Sequence, residues 1–255
     1  MNHALSIVAV TPVRRLPRHD SEMTSQLLFG EAVELISLHD DWFEVVSIFD
    51  GFAGFCPRNQ LALVHQDIAL QDQVPLVQTW SGIMQVNETP MHVPLGSALP
   101  ALLNGEAHWG EYRIRSSSKL IMEGAYPFED ESIRQVAFLF LNTPFLWGGR
   151  SVFGLDSNGF VQQVLRFFGK RLPRTLANQS IVGEEVSSLL EARCGDLVFF
   201  DQDKDELSHV GLLLNEREII HVYGKVRIDT IDHLGILNRE NFQRTHKLRM
   251  IRRLI

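Results

Sequence analysis

Cysteine is scarce. Cys56 and Cys194 are the two in 255 residues, too few for a disulfide framework. Neither belongs to a Cys-x-x-Cys pair, and no His-Glu-x-x-His occurs, so the common zinc motifs are missing and no metal or cofactor is expected. No apolar stretch is long enough to span a bilayer. The opening, Met1-Asn-His-Ala-Leu-Ser-Ile-Val-Ala-Val10, lacks a basic n-region, a long apolar region and a small-residue cleavage site. It reads as a strand and not a signal peptide, which points to the cytoplasm. Clustered basic charge is absent too. Arg14-Arg15 and Arg252-Arg253 are short runs in a chain of net charge −7, which argues against a nucleic-acid partner.

Hydrophobic (45%) and charged (22%) fractions are ordinary, so the chain can build a core, and its length suits two or three compact units. Residues 1–66 read as an all-β module, with strands expected over Ser6–Val10, Leu27–Phe29, Ala32–Leu38, Trp42–Ile48 and Phe52–Phe55. Val33-Glu-Leu35 and Phe43-Glu-Val45 alternate as half-buried strands do, and Asp50-Gly51 is a hairpin signal. The order resembles a bacterial SH3-like barrel, whose aromatics read as core packing before ligand contact. A polar linker, His65–Gln73, leads to residues 74–124, where Gly96 and Trp109 stand about as Gly30 and Trp42 do, suggesting a second SH3-like barrel.

Residues 127–255 change character. Glu129–Leu141 has acidic residues in its first turn and apolar residues at helical spacing, with Pro144 as its stop. Arg171–Ser180 reads as a loop leading to a short helix. Strands are then expected at Leu197–Phe200, His209–Leu214, Glu218–Tyr223, Val226–Ile231 and Lys247–Leu254. Helices followed by a run of strands indicate an α+β layout, helices packed on an antiparallel sheet.

Between them lies Thr143-Pro-Phe-Leu-Trp-Gly-Gly-Arg-Ser-Val-Phe-Gly-Leu-Asp-Ser-Asn-Gly-Phe-Val-Gln162. A helix is expected from about Asn158, with Phe160, Val161, Val164, Leu165 and Phe168 on one face and Gly169 as its stop. Ser157 stands at its mouth, where free N–H groups and the helix dipole favour negative charge, a place for a nucleophile and an oxyanion. The plainer reading is that Asp156 or Ser157 caps the helix. Downstream, His209 and His221 have equal parity if Asn215-Glu216-Arg217 makes the turn between their strands. They then lie diagonal and within reach of each other, as a catalytic pair or as satisfied core histidines.

The Trp147-Gly-Gly…Gly154-Leu-Asp-Ser-Asn-Gly-Phe-Val-Gln stretch resembles the nucleophile segment of the NlpC-type papain-like murein endopeptidases. Gly195–Phe200, Gly-Asp-Leu-Val-Phe-Phe, matches a further signature of that family. The resemblance is strong over residues 128–255 and loose over the barrels. It implies a papain-like domain with the nucleophile at position 157, His209 as the imidazole and His221 as its orienting partner. It also implies substrate contacts around Phe145, Trp147, Asp156, Asn158 and Thr175.

The sequence departs from the family where chemistry is decided. Ser157 replaces the nucleophilic Cys, Asn158 replaces Ser, Phe145 replaces Tyr, and Thr175-Leu176 follow Leu172-Pro173-Arg174 where an acidic residue is usual. A hydroxyl ionises far less readily than a thiol, so cleavage should be slow or absent. Cys194 reads as structural. Family members with SH3-like barrels ahead of the domain resemble γ-D-glutamyl-L-diamino-acid endopeptidases of murein recycling. That resemblance implies a murein-peptide partner with a free N-terminal L-Ala, whose ammonium Glu22 is a candidate to meet; the alternative for Glu22 is a solvated loop carboxylate. A murein-peptide hydrolase disabled at Ser157, a non-catalytic binding module (a pseudoenzyme) and a partner-binding scaffold are the functions in play.

Overall fold

The structure is a computed structural model that describes residues 2–201 and 206–254. It divides into two compact units: the chain through Ala125 together with Trp147–Gly154, and Tyr126–Leu146 together with the chain from Leu155 onward.

The first unit opens with β1 (His3–Ser6), β2 (Val10–Arg14), β3 (Met23–Leu28), β4 (Ala32–His39), β5 (Trp42–Ser47), β6 (Ala53–Pro57) and β7 (Leu61–Val64). They form one sheet in the order β3-β2-β6-β5-β4-β1-β7, with every pairing antiparallel. The single strand expected over Ser6–Val10 is in fact two, because the chain turns between β1 and β2 and each pairs with different neighbours. The expected linker contains a helical turn, α1 (Gln66–Ala69), capped by His65, and its Ala69 is buried in the core. Capping and the packing of Ile68 and Ala69 on the core fold a stretch whose composition reads as polar loop.

Next come β8 (Pro75–Val77), β9 (Ser81–Val86), β10 (Thr89–Pro94), β11 (Glu106–Trp109), β12 (Tyr112–Ser116) and β13 (Leu120–Met122). β10-β9-β12-β11 form a four-stranded sheet and β13 pairs with β8. The expected correspondence of Trp109 with Trp42 is shifted across the hairpin. Trp42 opens β5 after its turn, whereas Trp109 closes β11 before its own, opposite Tyr112. The two β modules share one core in which Leu5, Phe29 and Val64 pack with Val77, Val93, Trp109 and Ile114. The Phe29 and Trp109 ring centroids are 5.0 Å apart. Gly30 sits at this seam at φ +76°, and a Cβ there would lie 1.8 Å from the Ala98 carbonyl oxygen, so only glycine fits.

Trp147–Gly154 is bound into the first unit by a buried ion pair. Arg150 Nη1 donates to Glu31 Oε2 at 2.8 Å and to the Gln26 carbonyl at 2.6 Å, and Nη2 donates to Glu31 Oε1 at 3.1 Å. Its backbone N–H donates to Gln26 Oε1 at 2.8 Å. A guanidinium can be buried because its planar fork meets a carboxylate with two hydrogen bonds.

The short strand β14 (Arg150–Ser151) belongs to the first unit, β15 (Gly154–Leu155) spans the division, and the second unit contains α2 (Asp130–Phe138), α3 (Ser157–Arg166) and α4 (Leu176–Gln179). The strands β16 (Glu184–Glu185), β17 (Leu197–Asp201), β18 (Leu207–Asn215), β19 (Glu218–Tyr223), β20 (Lys225–Asp232), β21 (Gly235–Leu237) and β22 (Arg244–Arg253) follow. Their order is β16-β22-β17-β18-β19-β20-β21, and β21 also pairs with β22. That extra pairing closes six strands, β22-β17-β18-β19-β20-β21, into a barrel, which leaves no open edge between β21 and β22. Val198, Phe200, Leu213, Ile219, Ile231, Ile236 and Ile251 form its core cluster. β17 is buried at every position, as a strand covered on both faces must be.

Two expectations for the helices are corrected. α2 stops at Phe138, ahead of Pro144, because the chain turns through Asn142 at φ +64° and Asn142 N–H then bonds to the Val226 carbonyl. α4 lies inside the stretch read as a loop, because the Thr175 hydroxyl supplies its cap by accepting from Asn178 N–H. β16 and β21 are too short to show periodicity in the sequence.

Candidate active site

The site is built on α3 and on three adjacent strands of the barrel. α3 is buried at every position but Asn158, as expected of a central helix. The Phe140 ring packs edge-on against Phe160 at 5.9 Å, and Gln162 Nε2 donates to the Leu172 carbonyl at 2.9 Å. Asp156 is the N-cap: its Oδ1 accepts from Gly159 N–H at 2.7 Å. The same carboxylate holds Arg174 through two bonds, Nη1 to Oδ1 at 3.1 Å and Nη2 to Oδ2 at 2.5 Å, with the guanidinium almost fully buried. Arg174 therefore neutralises the cap and fixes the loop after α3 to its first turn. Ser157 is the first residue of the helix and is 8% exposed. Its hydroxyl donates to Asn158 Oδ1 at 3.2 Å, and among the described residues no hydrogen bond joins it to an imidazole.

The strands place the histidines diagonally. Gly211 stands opposite His221 in the β18–β19 register, so His209 is one diagonal away. Asn215 pairs with Glu218, so the turn is narrower than expected, with Glu216 and Arg217 at its tip. His209 Nε2 lies 2.9 Å from His221 Nδ1, and His221 Nε2 lies 3.0 Å from Asp229 Oδ2. Asp229 is fully buried and accepts in addition from Arg227 Nε (2.7 Å), Arg227 Nη2 (3.0 Å) and the Arg239 backbone N–H (2.9 Å).

This chain assigns the protons. A carboxylate can only accept, so His221 carries its proton on Nε2 and presents a lone pair at Nδ1. His209 must then donate through Nε2, and its Nδ1 is left as the basic atom. Burial would raise the Asp229 pKa, but bonds from His221 and Arg227 win and hold it well below the usual carboxylate range. Burial pushes the His209 pKa far down, and the neighbouring rings of His221 and His246 push the same way. His221 is lowered by burial, with Asp229 opposing. The pair is thus a neutral, oriented relay at neutral pH. The thiols are remote from such chemistry: burial pushes Cys56 up to about 12 and Cys194 up to about 11.

The other residues singled out from the sequence lie as follows. Asn158 accepts the Ser157 hydroxyl and, through its carbonyl, Gln179 Nε2 at 3.2 Å. Phe145 has a half-exposed ring, and its backbone N–H bonds to the Gly224 carbonyl at 2.9 Å. In the first unit, Trp147 Nε1 donates to Glu22 Oε1 at 2.8 Å while Arg15 pairs with Glu22 Oε2 at 2.9 Å.

Sequence reasoning missed Asp229, Arg174 and His246. Asp229 was within reach of the parity argument used for the histidines, since it faces Ile219 in the β19–β20 register and so lies diagonal to His221. His246 had no such signal, because it arrives on β22 from a segment with mixed polarity. It brings a third imidazole to the pair: ligand atoms of His209, His221 and His246 lie within 4.8 Å of one another.

Residues 142–242 match the NlpC/P60 family, and residues 13–61 match the bacterial dipeptidyl-peptidase SH3 domain. The chain is similar to the γ-D-glutamyl-L-lysine dipeptidyl-peptidase of Bacillus subtilis (strain 168), at 28% identity over 79% of this chain and 73% of the relative. It is similar to dipeptidyl-peptidase 6 of Lysinibacillus sphaericus at 24% identity over 95% of this chain and 97% of the relative. In fold it resembles the crystal structure of an NlpC/P60 family protein from Bacillus cereus ATCC 10987, with a TM-score of 0.81, 20% identity, and coverage of 98% and 99% of the two chains. Among the described residues, no helix is long and apolar enough to cross a membrane. The chain therefore carries an NlpC/P60 domain behind a bacterial dipeptidyl-peptidase SH3 domain.

Proposed function

We propose that this chain is a murein-peptide hydrolase of the γ-D-glutamyl-L-diamino-acid endopeptidase type, retaining the base relay and disabled at its nucleophile. The observation that carries the reading is the His209–His221–Asp229 relay, with the basic Nδ1 of His209 unspent, in the same unit as a buried residue at the start of the buried helix α3. That is the machinery of thiol activation, in which an oriented imidazole takes the proton of a nucleophile set at a helix N-terminus. A serine in that place is a much weaker nucleophile, so the parent chain cleaves slowly or not at all.

The reading also takes the NlpC/P60 domain as an α+β papain-like one over residues 127–255, behind SH3-like barrels at 1–66 and 74–124. The substrate is a murein-derived peptide with a free N-terminal L-Ala in the cytoplasm, with no nucleic-acid partner. Glu22, held by Trp147 and Arg15, is the candidate for the substrate ammonium. Glu22→Gln in the Ser157→Cys background should raise KM for the free peptide and leave an N-acetylated one unaffected. Equal KM changes for both would refute that role.

A second reading, a pseudoenzyme that binds the peptide without cutting it, is favoured by the Ser157 hydroxyl donating to Asn158 and not to an imidazole. Cleavage of L-Ala-γ-D-Glu-diaminopimelate by the Ser157→Cys variant, followed by mass spectrometry, separates the two. Release of L-Ala-D-Glu supports the first, and binding without release supports the second.

A further inference from the structure

His246 is not needed by the relay, yet it closes a cluster. Its ring stacks on His209 with centroids 4.1 Å apart and planes 25° apart. It meets His221 edge-on at 5.9 Å, and Tyr223 packs edge-on against it at 5.5 Å. His246 Nδ1 is engaged with the Thr245 hydroxyl at 2.9 Å, which leaves Nε2 for another partner.

Three imidazoles held on one tetrahedral zinc ion, at bond lengths of about 2.1 Å, put ring centroids roughly 5 Å apart. His209 and His221 already meet that spacing at 5.1 Å and an interplanar angle of 86°. His246, which is only partly buried, must turn out of its stack on His209 so that its ligand atom closes from within 4.8 Å to the roughly 3.4 Å nitrogen spacing that bonds of about 2.1 Å set. The outer shell is also in place. His221 donates Nε2–H to Asp229, which Arg227 and the Arg239 backbone fix in turn. A carboxylate behind a ligating histidine both orients the ring and raises its basicity.

We propose that His209, His221 and His246 form a binding site for a borderline divalent cation of the zinc class, with Asp229 as its outer-shell carboxylate. The ligand set is three neutral imidazoles with no thiolate or direct carboxylate, which selects zinc or copper over magnesium or calcium. Binding through His209 Nε2 moves that ring's single proton to Nδ1. The cation and the basic Nδ1 are then mutually exclusive, a consequence that alone rests on the hydrolase reading.

The test is titration of the tag-free full chain with Co²⁺ and with Zn²⁺, read by visible absorption, calorimetry and the imidazole ¹⁵N resonances. One equivalent with a tetrahedral Co²⁺ spectrum, and joint shifts of the three ring resonances, is the expected result. His246→Gln should weaken binding by more than about 100-fold and Asp229→Asn by about 10–100-fold, as an outer-shell partner does. Affinity unchanged in His246→Gln, or Zn²⁺ shifting only the other histidines of the ten in the chain, would overturn the proposal. The resonance experiment on the parent chain decides the matter even if a variant does not fold.

Discussion

Arg150→Met removes a guanidinium that is 1% exposed and takes this cation from the equally buried Glu31 carboxylate, which still accepts from Leu28 N–H at 2.9 Å. The lost contacts include two bonds to Glu31, one to the Gln26 carbonyl, and the stacking of the guanidinium over Phe49 at 5.2 Å. Breaking a buried pair from one side costs about 3–5 kcal/mol, because the remaining charge keeps its desolvation penalty and loses its counterion. Replacing both partners by neutral residues of similar size, Arg150→Met with Glu31→Gln, should restore more than half of that loss. All four tryptophans, Trp42, Trp80, Trp109 and Trp147, belong to the first unit, so tryptophan fluorescence in urea follows that unit alone. With a denaturant slope of about 2 kcal/mol per molar, the single variant should lower the midpoint by roughly 2 M. A loss below about 1 kcal/mol, the worth of an exposed pair, would refute the reasoning. So would a double variant no more stable than the single one.

Two further predictions concern the histidine cluster. A histidine whose folded pKa is depressed stays neutral in the fold while the unfolded chain takes up protons, so its stabilisation is complete above the unfolded pKa of about 6.5 and is lost as pH falls. With His209 and His221 lowered and His246 lowered to about 4, chiefly by burial, thermal melts should drop steadily from pH 7 toward pH 4; a melting point constant across that range would contradict the burial account. Asp229→Asn in the Ser157→Cys background should cut the cleavage rate by about 10²–10⁴-fold at neutral pH, since an amide can hold the wrong His221 tautomer. A loss under about threefold would remove Asp229 from the relay.

The fold was legible where the pattern was local. β19 was read to the residue, and β4, β5, β17, β18, β20 and β22 were found within a few residues, because alternation and turn residues announce them. The helix after Asp156 was likewise plain from its apolar face and from Gly169 beyond its end. What stayed hidden was set by tertiary partners. The break between β1 and β2 follows from pairing with different strands, and α1 and α4 each depend on a single side-chain cap. The His209–His221 contact could be derived from parity, but His246 meets them only because β22 returns beside β17 and β21. The fusing of the two β modules through Gly30 and Ala98 depends on packing that no period in the sequence encodes.

The central claim is that an intact base relay lacks only its nucleophile, and incubating L-Ala-γ-D-Glu-diaminopimelate with the parent chain and with Ser157→Cys tests it most directly. The account predicts L-Ala-D-Glu in the mass spectrum of the variant and little or none from the parent. Equal release by the parent would contradict it, since Ser157 would then be a competent nucleophile; if neither cuts, Phe145, Thr175 and Leu176 become the reason and the pseudoenzyme reading replaces it.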